Sequence, residues 1–222
     1  MISVIIPTYN EEKTIKNTIE VLKKNSNCKN YEVIVVDSSE DNTIENIPKN
    51  VKVLRCEKGR AKQMNLGARK AKGDIFAFLH ADVLVPKNWD LLIEDEIKYN
   101  DYGVFLKEFD SKGIFIQILR IYSVIMTLVF HAIRGDHFLF LRKKVFEEFK
   151  GYSDISLMED LDISKKLKKY KFGIVKERII VSSRRLEKFG YLKVLMIWIK
   201  LQFLYYTGAD PNKLKRYYSD DK

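Results

Sequence analysis

The chain has 222 residues, 46% of them hydrophobic and 32% charged, with ten Gly and four Pro. That balance suits one large globular domain or two small halves sharing a core, and it excludes collagenous, low-complexity and disordered character. Forty Lys and Arg against 30 Asp and Glu leave a net charge of +10, which fits nucleic acid, an anionic membrane face or a phosphorylated substrate as partner.

The charge is unevenly placed. Residues 1–110 carry 17 basic and 18 acidic side chains, net −1, whereas residues 111–222 carry 23 and 12, net +11. This predicts two unlike halves, 1–110 and 111–222, within one continuous domain. Cys28 and Cys56 lack CxxC spacing, and no basic segment followed by an apolar run opens the chain, so a reducing cytoplasmic setting is expected.

Along the first half, strand and helix signals alternate. Residues 2–6 are an apolar, β-branched run closed by Pro7; Asn10 can cap a helix that carries Glu11 and Glu12 in its first turn and ends near Asn25. Further apolar runs at 31–36, 51–54 and 75–79 have the length of buried parallel strands, and 60–71 reads as a helix stopped by Gly73. The pattern predicts an α/β fold with a mostly parallel sheet and helices on both faces. Residues following parallel strands meet at one sheet edge, so Tyr9, Asp37 and Asp82 are expected to line a common crevice.

The second half is α-rich. Residues 114–133 are the longest apolar stretch, with Gln117, Arg120, Ser123, Thr127 and His131 forming one polar stripe at helical spacing. This describes an amphipathic helix, either packed on the core or lying at an interface; Arg120 argues against a membrane span. A loop at 134–137, a short apolar stretch at 138–141, a helix from Lys143, an acidic helix start at Met158-Glu-Asp-Leu-Asp running to Tyr170, a strand over 174–183, an apolar helix over Tyr191–Tyr206 and a basic-aromatic tail at 213–218 follow.

No GxGxxG follows the first strand, and GxxxxGK[ST] and HExxH are absent, which demotes dinucleotide oxidoreductases, P-loop NTPases and zincins. A flat aromatic such as Tyr9 and a carboxylate such as Asp37 suit a nucleobase, stacked on one and donating an imide N–H to the other; singly, each also reads as a turn residue or cap. Asp82, in His80-Ala-Asp82 at a strand end, suits a hard divalent cation that takes its remaining ligands from water and substrate phosphates. Glu159 and Asp160 open a helix, where acids are ordinary caps, yet a carboxylate near the cation can take a proton from an attacking hydroxyl. Arg184 and Arg185 offer planar forks for a diphosphate.

Together these segments resemble the inverting family-two glycosyltransferases of GT-A fold. The resemblance rests on Val4-Ile-Ile-Pro-Thr-Tyr-Asn-Glu-Glu, Val35-Val-Asp-Ser-Ser-Glu-Asp-Asn-Thr, Gly59-Arg-Ala-Lys-Gln-Met-Asn-Leu-Gly-Ala, Phe78-Leu-His-Ala-Asp, Gly135-Asp-His and Met158-Glu-Asp-Leu-Asp. The His-Ala-Asp form and a Ser-Arg-Arg segment are most similar to the short radical-SAM/selenodomain-associated subgroup.

The resemblance implies that Pro7, Tyr9, Glu11 and Asp37 hold base and ribose, that Arg60 and Lys62 border the nucleotide, that Asp82 is the metal and diphosphate ligand, and that Asp160, beside Glu159, is the general base. It further implies a UDP- or GDP-sugar donor, Mn²⁺ or Mg²⁺ as cofactor and a GT-A (Rossmann-like) sheet with an α-rich C-terminal acceptor region. His80 replaces the family's first metal-site Asp, and the Gln-x-x-Arg-Trp signature of processive synthases is missing, which implies one sugar per encounter.

The alternatives are a sugar-phosphate nucleotidyltransferase and a basic membrane- or nucleic-acid-binding module without catalysis. The first normally has a Gly-rich, Arg-containing loop where this chain has Pro7 to Glu12; under the glycosyltransferase reading no nucleic acid is expected. The acceptor is unknown; the apolar helix Tyr191–Tyr206, with Lys193 and Lys200 one heptad apart, motivates a lipid-linked acceptor and peripheral contact with the inner face of a membrane.

Overall fold

The computed structural model describes residues 1–131, 133, 136–214 and 217. Gly135 of the Gly-Asp-His motif, Arg134 in the same loop, and Lys215, Arg216 and Tyr218 of the expected tail lie outside the described residues.

Four strands form the parallel part of the sheet: β1 (Ile2–Thr8), β2 (Tyr31–Asp37), β3 (Lys52–Arg55) and β4 (Ile75–Phe78). Helix α1 (Ile15–Lys24) and helix α2 (Arg60–Lys70) connect them. A short β5 (Val83–Leu84), helix α3 (Trp89–Tyr99) and β6 (Tyr102–Phe109) complete the first half. Then come α4 (Ile114–Phe130), β7 (Leu139–Arg142), α5 (Lys143–Glu148), α6 (Glu159–Leu167), β8 (Phe172–Val181), α7 (Arg184–Phe189), α8 (Tyr191–Tyr206) and α9 (Pro211–Leu214).

The sheet order is β3-β2-β1-β4-β7-β6-β8-β5, with β7 and β5 antiparallel to their neighbours. Strands from 1–110 and 111–222 therefore interleave in one sheet, so the charge division is not a division of the fold.

Alternation along the strands builds two layers of core. Ile2, Val4 and Ile6 of β1 face the layer containing Ile15, Ile19 and Leu22 of α1 and Trp89 of α3. Ile5 faces the opposite layer, with Met64 of α2, Phe146 of α5 and Ile163 of α6. A buried parallel strand is apolar on both faces, which is why its sequence is a continuous run. The Trp89 indole N–H donates to the Leu22 carbonyl at 2.9 Å, locking α3 to α1.

Three local expectations need correction. β1 runs through Pro7 to Thr8. Ser38 N–H donates to Thr8 O and Leu79 N–H to Ile5 O, so Pro7 faces the β4 side just past the last paired residue, where no N–H is needed. Asn10 does not cap α1: its φ is 54°, its N–H donates to Ser39 Oγ, and its side chain accepts from Glu40 N–H. It staples the loops after β1 and β2 together, and α1 begins only at Ile15.

The polar stripe of α4 is split, with Gln117 exposed and its later members turned inward. Ser123 and Thr127 are buried with Ile116 and Leu119, while Ile118, Ile121 and Ile125 are exposed.

Gly67 of α2 lies flat on β1. A Cβ there meets Ile5 Cγ2 at 2.4 Å and Val36 Cγ2 at 3.1 Å. Ala is the better helix former by about 1 kcal/mol, but forced overpacking of a sheet–helix contact costs about 1–3 kcal/mol. Gly67→Ala is therefore expected to lower the denaturant midpoint, measured by urea unfolding.

Candidate active site

The carboxyl edge of the parallel strands gathers the loops after β1, β2 and β4 and the starts of α2, α6 and α7. The loop after β2 forms the floor. Asp37, at the last position of β2, is fully buried; its carboxylate accepts from Thr8 Oγ1 at 2.7 Å, Ser39 Oγ at 2.6 Å, Ser39 N–H at 3.1 Å and the Arg55 guanidinium at 2.9 Å. A carboxylate has about four acceptor sites, so as folded Asp37 organises the two loops instead of presenting an open acceptor for a base. Pro7 is likewise buried within the sheet. Tyr9 is half-buried, and the ammonium of Lys58 lies 3.6 Å from its ring centroid, a cation–π cover on the face assigned to a nucleobase.

Glu11 follows that loop with its side chain turned inward, 2% exposed. Thr43 Oγ1 holds its backbone N–H, and its carboxylate accepts from Thr14 Oγ1 at 2.6 Å. Arg184, at the start of α7, donates from one nitrogen to Glu11 at 3.3 Å and to Asp82 at 3.1 Å. A tethered cation thus joins the loop after β1 to the loop after β4, across 173 and 102 residues of sequence. Arg185 follows it on α7, with its guanidinium 5.8 Å from the Phe189 ring.

A second cluster lies where α2 and α6 begin. Arg60 donates to Glu159 at 2.9 Å, and the Glu159 side chain is 5% exposed. These two residues, with Phe78, His80, His137, Tyr152 and Asp160, line a cavity of about 20 Å³, room for one water-sized group. Burial and then the Arg60 charge push the His80 imidazole down to about 3, so it is neutral. Burial, with Glu159 and Asp160 nearby, pushes the Tyr152 hydroxyl well above its usual range, so it stays protonated. Asp160 Oδ1 accepts the Leu161 N–H at 2.9 Å. Met158, which precedes this pair, sits at φ 69°, a left-handed conformation costly for a long side chain. From this turn into α6, Glu159 pairs with Arg60 and Asp160 lies on the cavity wall.

Lys62 is not brought to this cluster. It is exposed and pairs with Glu57 at 3.1 Å, near Asn65 and Asp154 on the outer side of α2. Residues the sequence reading passed over include Tyr152 and the buried Lys107, which pairs with Asp136. Asp136 and His137 belong to the Gly-Asp-His segment, and His137 Nε2 lies 3.1 Å from Thr127 Oγ1 of α4. That contact explains the inward part of the polar stripe.

A divalent cation held chiefly by phosphate and water needs one or two protein carboxylates. Asp82, with its side chain 27% exposed, meets that requirement, and the neutral His80 is two residues away. Among the described residues no three His, Cys, Asp or Glu side chains gather around one point, so the donor set fits a substrate-carried ion and not a protein-built cage.

The glycosyl transferase family 2 model matches residues 3–149. Dolichol-phosphate mannosyltransferase of Pyrococcus furiosus is 37% identical over 93 residues, 38% of this chain and 26% of that protein. Poly(ribitol-phosphate) beta-N-acetylglucosaminyltransferase TarS of Staphylococcus aureus is 32% identical over 126 residues, 52% of this chain and 20% of that protein. The matches thus span only about a quarter of those relatives' length.

Among solved structures, S. aureus TarS 1–349 with UDP-GlcNAc superposes with a TM-score of 0.65 at 20% identity, covering 82% of this chain and 58% of that one. PcManGT from Pyrobaculum calidifontis, with GDP-Man and Mn²⁺, gives 0.62 at 19% identity, covering 81% and 56%. The fold is of the GT-A type. With its matched segment running from β1 through α5, the chain belongs to glycosyl transferase family 2.

Proposed function

We propose that the chain transfers a single sugar from a UDP- or GDP-sugar to an acceptor hydroxyl with inversion at the anomeric carbon, as a member of the short radical-SAM/selenodomain-associated subgroup. The observation that carries this reading is the meeting, at one sheet edge, of Asp82 with Arg184 and Glu11, and of Arg60 with Glu159 beside Asp160. The UDP-GlcNAc and GDP-Man complexes of the structural relatives support a nucleotide-sugar donor.

In this reading the acceptor hydroxyl enters the cavity at the start of α6. Asp160 takes its proton as the oxygen attacks the anomeric carbon from the face opposite the diphosphate, and the bond to the diphosphate oxygen breaks. Because attack and departure are in line, configuration inverts. Tyr152, held protonated, donates a hydrogen bond to the hydroxyl region, and Arg60 engages Glu159 in an ion pair, which leaves the proton transfer to Asp160. Arg184 supplies positive charge where the diphosphate departs. When bound, a divalent cation such as Mn²⁺ or Mg²⁺ on Asp82 offsets the diphosphate charge. The reaction takes place at the cytoplasmic side of a membrane, on a lipid-linked acceptor.

A thermal-shift screen of nucleotide sugars with Mn²⁺ or Mg²⁺, followed by detection of free nucleoside diphosphate, tests the class. Release of pyrophosphate in its place is the signature of a nucleotidyltransferase and overturns the reading.

The metal assignment has its own expected result. In calorimetry, Asp82→Asn lowers metal-dependent nucleotide affinity by about 10–100-fold. Arg184→Ala has the opposite sign for the metal, since it frees the carboxylate that the guanidinium holds, and it weakens nucleotide binding measured without metal. Unchanged metal-dependent affinity in Asp82→Asn removes Asp82 as the ligand.

A further inference from the structure

Amphipathic helices of a folded domain normally turn their apolar stripe to the core. Here α4 does the reverse over much of its length, and α8 leaves an apolar row uncovered. Twelve of the seventeen large hydrophobic side chains exposed among the described residues lie on these two helices, each 46–75% exposed. On α4, Ile118, Ile121 and Ile125 stand opposite the buried Ser123 and Thr127. The one charged residue of that helix, Arg120, is turned toward Glu108 at 3.9 Å. On α8, Met196, Ile199 and Phe203 form the outer row, opposite the buried Val194 and Leu201, with exposed Lys193 and Lys200 along one flank.

The two faces belong to one surface. Phe115 and Tyr191, in the first turns of α4 and α8, stack with centroids 6.4 Å apart. At their far ends both helices reach α6: Ile133 N–H, just beyond α4, donates to Ser164 Oγ at 2.9 Å, and the Tyr205 hydroxyl of α8 donates to Asp162 at 3.5 Å. Among the described residues no helix is long and apolar enough to cross a membrane.

We infer that α4 and α8 together form an interfacial docking surface for an anionic lipid bilayer. A charge-free apolar row flanked by lysines matches the acyl boundary and the headgroup layer at the same depth, with each lysine stem lying along the apolar surface and its ammonium among lipid phosphates. Charge complementarity favours the bilayer over a second copy of the chain, since pairing two such faces brings together two rows of exposed Lys193 and Lys200 on chains of net +10 each. Docked this way, the start of α6 lies beside the membrane surface. On the reading of Asp160 as the base, the acceptor hydroxyl is then carried by a lipid.

The test is flotation of the full chain with phosphatidylcholine vesicles, with and without phosphatidylglycerol. Binding to the anionic vesicles that weakens with salt is expected. Ile121→Glu and Met196→Glu each reduce it by about tenfold or more, and Lys193→Glu and Lys200→Glu by about fivefold each. All four sites are exposed, so thermal unfolding is unchanged.

Failure to float, or flotation indifferent to these substitutions, overturns the proposal. So does a concentration-dependent dimer in sedimentation that Ile121→Glu abolishes, because it assigns the face to a second copy. Flotation without any sugar transfer leaves the docking surface standing and rejects the glycosyltransferase reading.

Discussion

Asp160→Asn is expected to cut the turnover of sugar transfer by about 10²–10⁴-fold with nucleotide-sugar affinity and thermal stability retained. The substitution keeps the side chain's shape and the oxygen that accepts Leu161 N–H at 2.9 Å, so the first turn of α6 is preserved. What it removes is the capacity to accept a proton from a hydroxyl in the cavity.

Glu159, its neighbour, is a poor substitute base, because its side chain is 5% exposed and closed onto Arg60 at 2.9 Å. Single-turnover kinetics give the chemical rate, and calorimetry with the nucleotide sugar gives the affinity. A variant that turns over at the native rate places the base elsewhere, while a parallel loss of affinity marks Asp160 as a donor-binding residue.

Much of this site was visible in the sequence because its anchors follow strands whose apolar runs are unmistakable. The runs ending near Pro7, Asp37 and Leu79 fixed which residues share an edge, and topology did the rest. Side-chain direction was a different matter. Lys62 and Arg60 are two residues apart on α2, and the helix sends one outward to Glu57 and the other to Glu159. Arg184 and Arg185 read as an equivalent pair, but consecutive helical positions diverge by about 100°, so one reaches Glu11 and Asp82 and the other packs on Phe189.

β6 escaped the sequence reading since Gly103, Lys107 and Glu108 interrupt its apolar run, although the strand lies between β7 and β8. α4 shows the limit most clearly. Its amphipathicity was legible, but which side faces the protein depends on a contact between Thr127 and His137 that no periodicity reports.

The largest stability effect is expected at Lys107. This residue lies on β6 with its side chain 2% exposed, and its ammonium pairs with the Asp136 carboxylate, which is 25% exposed. Lys107→Met fits the apolar volume of the stem but leaves the Asp136 charge without that partner. Removing one member of a buried pair costs about 3–5 kcal/mol, and the partial exposure of Asp136 places the expected loss near the lower end, about 3 kcal/mol.

The double variant Lys107→Met/Asp136→Asn removes the carboxylate charge that lost its ammonium partner as well, so it is expected to be more stable than Lys107→Met alone. Urea unfolding of the two single variants and the double variant gives the coupling directly. The consequence reaches the active site through the chain. Asp136 adjoins His137, which contacts Thr127 of α4 and lines the cavity with His80 and Asp160. Loosening Asp136 therefore frees the wall against which the acceptor hydroxyl is held, and Lys107→Met is expected to raise the acceptor KM more than the donor KM. Equal effects on both, or a double variant no more stable than the single, remove the pair from this role.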